Sequence, residues 1–370
     1  MNYPIYKKLD SIPADIVSLD DYEQLARNSM PAEVFTYIHS GGADEYTLAR
    51  NRQAFADISL YSRVLEKFDT ASTRTTLLGQ EFRHPFLLAP VAHQGLVHQE
   101  AELASAQAAD ALDTGFITSN LASKSLEDIA AQTGGPKWFQ LYIQSTREHT
   151  LELVRRAEQA GYSAIVVTVD VPINGLRNNI QRSGFQLPPD AQQINIQRVK
   201  SQPKELAPDQ SVIFQGIMSE SPNWRDMEWL RKITRLPIIV KGITHPMDAK
   251  RSIELGANGV VVSNHGGRGL DTLPATIEIL PGIRQAVGGD VTVLLDSGIR
   301  RGTDIVKALA LGADAVLVGR PQIYALAVAG ALGVAHMLRL LRDELEVTMV
   351  LCGCPTIADI SKECLFQQTY

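Results

Sequence analysis

Cysteine is scarce in this chain. Only Cys352, Cys354 and Cys364 occur in 370 residues, all near the C-terminus. No disulfide framework spans such a chain, so the expected setting is a reducing cytoplasm. Long apolar runs are missing too. No stretch approaches the ~18 consecutive apolar residues of a membrane span, and MNYPIYKKLDSIPADIVSLDD lacks the apolar centre of a secretory signal. No membrane partner is expected. Basic charge is not in excess: 35 Lys and Arg face 41 Asp and Glu, for a net charge of −6. That balance argues against a nucleic-acid partner. Metal-ligand spacing is also absent. Cys352 and Cys354 have no second Cys or His pair beside them, and His93 and His98 miss the four-residue spacing of one helix face. No metal is expected.

What is present is a rhythm. The segment up to residue 80 reads as helical and packed on the rest of the chain. Within it SLDDYEQLARNSM is opened by Ser18 or Asp20, and PAEVFTYIHSGG has Pro31 in its first turn. Eight short apolar runs then follow: FLLAP, GFITS, WFQLY, AIVVTVD, PIIVKG, GVVVSN, TVLLDSG and AVLVGR. Helix-like stretches such as AELASAQAADAL and GTDIVKALALGA separate them. Continuous Val/Ile/Leu strands alternating with amphipathic helices imply parallel strands covered on both faces. Eight such units are what an α/β protein of the (β/α)8 TIM barrel class needs, here as a single domain over 1–370. A doubly wound open sheet is the competing arrangement, but its glycine-rich fingerprint is missing after the first strand. The rhythm stops at 174–223, a polar, proline-bearing stretch read as an active-site lid loop after strand 4; a solvated surface insertion is the alternative.

In a closed barrel, residues just past each strand converge on one mouth. Here they are Pro90, Val91 and Ala92; Ser119; Gln140 and Tyr142; Thr168 and Asp170; Lys241; Ser263, His265 and Arg268; Asp296, Gly298 and Arg300; and Gly319 and Arg320. Each has a bland reading: a loop histidine, a capping aspartate, a snorkelling lysine. Converging charges, however, require partners or a ligand. The DSGIRRG and VGRP segments add glycine amides and arginines after strands 7 and 8, an arrangement suited to phosphate.

SNHGGRGLD, LLAPVA, FQLY, TVDVP, VKGI, DSGIRRG and VGRP occur in the order found in one family. The chain resembles the FMN-dependent α-hydroxy acid oxidases and dehydrogenases, which include glycolate oxidase, lactate oxidase and mandelate dehydrogenase, from about Tyr22 to Cys364. The resemblance implies FMN as cofactor and oxidation of an L-2-hydroxy acid to the 2-oxo acid, with O2 as acceptor and H2O2 as product. It implies that His265 is the base and Asp170 its partner. Arg268, Arg177 and Tyr37 would hold the substrate carboxylate, and Tyr142 would meet the reacting hydroxyl. Lys241 would sit beside flavin N1. Pro90, Val91, Ala92, Ser119, Gln140, Thr168, Lys241 and Ser263 would contact the flavin, with Asp296, Gly298, Arg300, Gly319 and Arg320 around its phosphate. A homotetramer or octamer is implied as well.

Two positions bear on specificity. Leu121 stands where relatives often carry Trp or Tyr, which implies room for a side chain larger or more apolar than glycolate's. Ala92 is the small residue expected near flavin N5 in oxidases. A soluble dehydrogenase using a quinone or other acceptor is the competing enzyme. A flavin-dependent isomerase would not need both the His–Asp pair and two carboxylate-binding arginines. A non-catalytic flavin-binding protein would be expected to lack the base.

Overall fold

A computed structural model describes residues 3–189, 191, 194–196 and 206–366. Three helices open it: α1, Leu19–Ala26; α2, Ala32–His39; and α3, Tyr46–Ala56. Ser18 caps α1, its hydroxyl accepting from the Asp21 amide while Asp21 returns the bond to the Ser18 amide. α3 lies within the segment read as helical, whereas the antiparallel hairpin that follows, β1 Thr75–Leu77 with β2 Gln80–Phe82, was not expected from the sequence. Three-residue strands carry too little alternation to be read.

The eight apolar runs form β3 Phe86–Leu88, β4 Gly115–Ser119, β5 Lys137–Leu141, β6 Ile165–Thr168, β7 Ile238–Ile243, β8 Gly259–Val262, β9 Thr292–Leu295 and β10 Ala315–Val318. They close in chain order, with β10 pairing β3, and every pairing is parallel. The eightfold barrel agrees with the sequence expectation.

Side chains alternate across a strand, so each strand sends every second residue inward. Leu87, Ile117, Trp138, Val166, Ile239, Val261, Leu294 and Leu317 form a fully buried interior cluster. The next inward position on each strand, two residues on, is Ala89, Ser119, Gln140, Thr168, Lys241, Ser263, Asp296 and Gly319. One period therefore fills the barrel with apolar groups below and sets a polar layer at its C-terminal mouth. The opposite end is plugged by the hairpin. Leu77 and Phe82 join the interior cluster, and the Phe82 ring meets Trp138 edge-on at 5.6 Å. Burying a side chain such as Phe82 contributes ~1.5–3 kcal/mol.

The outward-facing strand residues pack against the surrounding helices. Arg320–Cys352 is the one helix among the described residues long and apolar enough to cross a membrane. Its apolar window is 67% buried inside the protein, and it bends at Ala329–Gly330. Its hydropathy is thus that of a core helix. The three cysteines are unbridged and buried, yet the Cys354 and Cys364 thiols lie 3.5 Å apart, a proximity their spacing does not reveal. Residues 190, 192, 193 and 197–205 of the expected lid fall outside the described residues. The described part contains a short helix, Asn178–Ser183, and exposed turns.

Gly242 lies in β7 at φ +105, where an added Cβ would come within 2.5 Å of Asp170 Cβ and Cγ. Gly242→Ala should therefore lower stability by about 1–3 kcal/mol from backbone strain alone, and it should displace Asp170. A thermal melt matching the parent's would contradict this packing.

Candidate active site

A cavity of about 370 Å³ opens at the barrel mouth, with Tyr37 and Ile38 of α2 in its wall. Tyr37, Pro90, Val91, Ala92, Ser119, Leu121, Gln140, Tyr142, Thr168, Arg177, Lys241, His265, Arg268, Asp296, Gly298, Arg300, Gly319 and Arg320 all line it. Two expected residues stand behind the wall. Asp170 supports His265, and Ser263 supports Lys241. Ser263, expected to contact the cofactor, accepts from Lys241 Nζ through its hydroxyl.

His265 is placed by an unusual backbone. His265, Gly266 and Gly267 occupy the left-handed region in succession, with φ of 57°, 64° and 73°. β8 thus turns sharply, and its loop folds back over the mouth. Glycine is needed here for space as well as for φ. A Cβ on Gly267 would lie 2.7 Å from the Leu48 amide nitrogen, and one on Gly266 would lie 2.6 Å from Arg320 Nη1. The loop is held at several points. Asn264 and Asn51 exchange side-chain amide bonds of 2.7 and 2.9 Å. The Ser297 hydroxyl accepts from the Gly266 amide at 2.9 Å. The Asp271 carboxylate accepts from the amides of Asp44, Tyr46 and Thr47.

His265 Nδ1 sits 3.0 Å from Asp170 Oδ1. Burial raises the Asp170 pKa, but the His265 charge and hydrogen bond, with Lys241, outweigh it and hold the group below its ordinary 3.8. The carboxylate therefore stays ionised and fixes the proton-bearing nitrogen, leaving Nε2 as the basic one. Lys241 Nζ lies 3.0 Å from Asp296 Oδ2 and donates to Ser263 Oγ at 3.0 Å. Burial opposes its charge, but Asp296 and Asp170 together raise its pKa, so the ammonium persists. Asp296, expected near a phosphate, is also this lysine's counter-ion. Burial pushes Tyr142 up to about 12, so its hydroxyl remains a donor.

The arginines lack such balance. Arg268 is pushed down to about 9, first by burial and then by the charges of Arg177 and Arg320. Its Nη1 donates to the Tyr37, Ile38 and Ser40 carbonyls. The Nε–Nη2 edge, suited to a carboxylate's two oxygens, has no protein acceptor among the described residues. Arg177 Nε is likewise buried without a partner. Arg320 is more committed than expected, donating through three nitrogens to the carbonyls of Ile38, Gly266 and Ser40. Arg300 faces Asp20 and Glu23 of α1 at 3.8 and 3.6 Å, and its Nε is buried without a hydrogen bond.

These donors fit a flavin mononucleotide. Gln140 Oε1 accepts from Ser119 Oγ and the Asn120 amide, while its Nε2 is buried and unpartnered in the cavity wall. That amide is suited to a ring carbonyl, and the Arg300–Arg320 end to a phosphate.

A family model described as FMN-dependent dehydrogenase matches residues 26–367. The chain belongs to the FMN-dependent dehydrogenase family. An L-lactate oxidase of Alicycliphilus denitrificans is 48% identical, over 96% of this chain and 98% of its own. Human 2-hydroxyacid oxidase 1 is 42% identical, over 94% and 95%. A mandelate oxidase structure with (S)-2-phenylpropionate superposes with a TM-score of 0.86 at 41% identity, covering 95% of this chain and 98% of that one. As a member of the FMN-dependent dehydrogenase family the protein takes FMN as its cofactor.

Some contributors to the site were not legible in the sequence. Phe185 stacks on Tyr37 with centroids 4.4 Å apart, fixing that tyrosine over the cavity. Val171, Asn174, Ser297 and Ile299 also line it. Their only signal was position, one to four residues beyond a strand exit already noted.

A carboxyl with a depressed pKa contributes stability above its unfolded value and loses it as pH falls through the folded one. Asp170→Asn should therefore be less stable than the parent by ~1.5–3 kcal/mol near neutrality. The gap should narrow as pH drops below 3.8. Paired melts from pH 6 to 2.5 measure it, and a gap constant across that range would show that Asp170 carries no such charge interaction.

Proposed function

We propose that the protein oxidises an L-2-hydroxy acid to the 2-oxo acid and passes the electrons to O2, giving H2O2. The observation that carries this reading is His265, backed by Asp170, in one cavity with the incompletely paired guanidiniums of Arg268 and Arg177. A base alone fits many reactions. A base with two carboxylate-binding cations and a buried lysine fits a substrate that is both acid and alcohol.

The substrate carboxylate docks on the Nε–Nη2 edge of Arg268 and on Arg177, with the Tyr37 hydroxyl beside it. That attachment fixes the α-carbon, an orientational gain of up to roughly 7–11 kcal/mol. His265 Nε2 takes a proton from the substrate, and Asp170 stabilises the imidazolium that results. Tyr142 donates toward the reacting oxygen. When bound, FMN supplies the acceptor for the two electrons. The buried Lys241 ammonium provides positive charge at the floor of the site, where reduction builds up negative charge.

Support for O2 comes from the small Ala92 in the wall and from relatives whose names are those of oxidases. The aliphatic Leu121 wall supports substrates longer than glycolate. A cytoplasmic location and a homotetramer or octamer belong to the same proposal. Three unbridged thiols support the first. Exposed Val347, Val350 and Leu351 on the long helix support an interface, which sedimentation would test.

Anaerobic mixing with L-lactate or a longer L-2-hydroxy acid should bleach the yellow absorbance, and air should restore it with stoichiometric peroxide. Bleaching reversed only by an added quinone or dye would replace O2 as the acceptor. No bleaching by any 2-hydroxy acid would end the proposal. His265→Gln should retain FMN absorbance but lose reduction by at least 10³-fold in stopped flow, on the scale general base catalysis contributes (~10²–10⁴).

A further inference from the structure

One polar side chain in the cavity has no part in the chemistry above. His93 lines the wall beside Ala92 and is only 5% exposed. Its backbone adopts φ 56°, ψ 41°, a region non-glycine residues seldom enter. The turn is tied to the substrate wall, because the His93 amide donates to the Leu121 carbonyl at 3.2 Å. Its ring makes no hydrogen bond among the described residues, and Nδ1 is sealed from solvent without a partner. With Nδ1 sealed, Nε2 is the nitrogen left to meet a ligand. Burial lowers the pKa to about 4, so the imidazole is neutral at physiological pH. A neutral ring has one donor and one acceptor nitrogen and does not attract charge.

Nε2 has no protein partner among the described residues, so it is free to bond a ligand group that reaches this part of the cavity. Leu96 and Leu121 share that wall. On the reading given under Proposed function, the arginines take the substrate carboxylate, while His265 and Tyr142 take the α-hydroxyl. The bond from the His93 amide to the Leu121 carbonyl sets the imidazole beside the side-chain wall, which directs it to the substituent beyond the α-carbon. We propose that His93 is a specificity-determining residue that hydrogen-bonds a neutral polar group on the substrate's side chain. The favoured substrates are then 2-hydroxy acids bearing a hydroxyl, carbonyl or amide on an otherwise apolar chain.

Isosteric pairs test this. L-2,4-dihydroxybutanoate is compared with L-2-hydroxypentanoate, and L-2,5-dihydroxypentanoate with L-2-hydroxyhexanoate, so that two reaches are sampled. The FMN-loaded parent should favour the hydroxyl-bearing member of at least one pair in kcat/KM. His93→Leu should shift that ratio by about two- to tenfold toward the alkyl member, the scale of one neutral hydrogen bond, mainly through KM. His93→Asn, which tolerates left-handed backbone, should fall between the two and serves as the reporter where the leucine variant does not fold. Spectral titration with the matching 2-oxo acids should follow the same order without turnover. A parent with no preference in either pair would overturn the proposal, as would a ratio unchanged by both substitutions. If neither these four acids nor L-lactate bleaches the flavin, the reading under Proposed function fails as well; if L-lactate alone bleaches it, only the role of His93 fails. Bleaching without discrimination sinks only the role of His93.

Discussion

A sheet closed on itself must send alternate residues to the same interior, and most of this site follows from that constraint. Every strand contributes one apolar residue to the barrel's filling and, two positions later, one residue to its mouth. The mouth layer of Ala89, Ser119, Gln140, Thr168, Lys241, Ser263, Asp296 and Gly319 continues the period that packs Leu87 through Leu317. Stability and chemistry are therefore coupled through strand register. A one-residue slip in a strand would turn its mouth residue outward and bury a neighbour in its place.

Charge is distributed unevenly above that layer. Two pairs, Lys241 with Asp296 and His265 with Asp170, are closed within the protein. Among the described residues the Arg268 guanidinium meets backbone carbonyls and the Tyr37 ring, Arg177 Nε has no partner, and the repulsion between the two adds to the burial that lowers Arg268. A carboxylate that enters relieves both strains at once. On the proposed function, the reacting carbon is then held between the base and the lysine charge, and neither has to reorganise.

How far this was legible depends on the kind of interaction. The eight strands were readable because buried parallel strands are written as continuous Val/Ile/Leu runs. The site residues were readable because barrel closure turns strand ends into neighbours. The hairpin plug was not, because three residues per strand leave no period. The Asp296–Lys241 pairing was not, since two exits from non-adjacent strands, β9 and β7, reach each other only across the closed mouth. The commitment of Arg320 to the carbonyls of Ile38, Gly266 and Ser40 depends on how the N-terminal helices dock, which no local pattern encodes. The approach of Cys354 to Cys364 has the same character, being set by a chain reversal after the last helix.

From the amino-acid order alone came the number of strands, their inward and outward faces, and the residue types delivered to the mouth. These are properties of local period and composition, and they hold whatever the neighbours are. Only the tertiary structure decided which charge is neutralised by which, and that His93 faces a cavity with no partner. Pairing and burial depend on distances between segments far apart in the chain, which only the closing of the barrel and the docking of α1 to α3 on it determine.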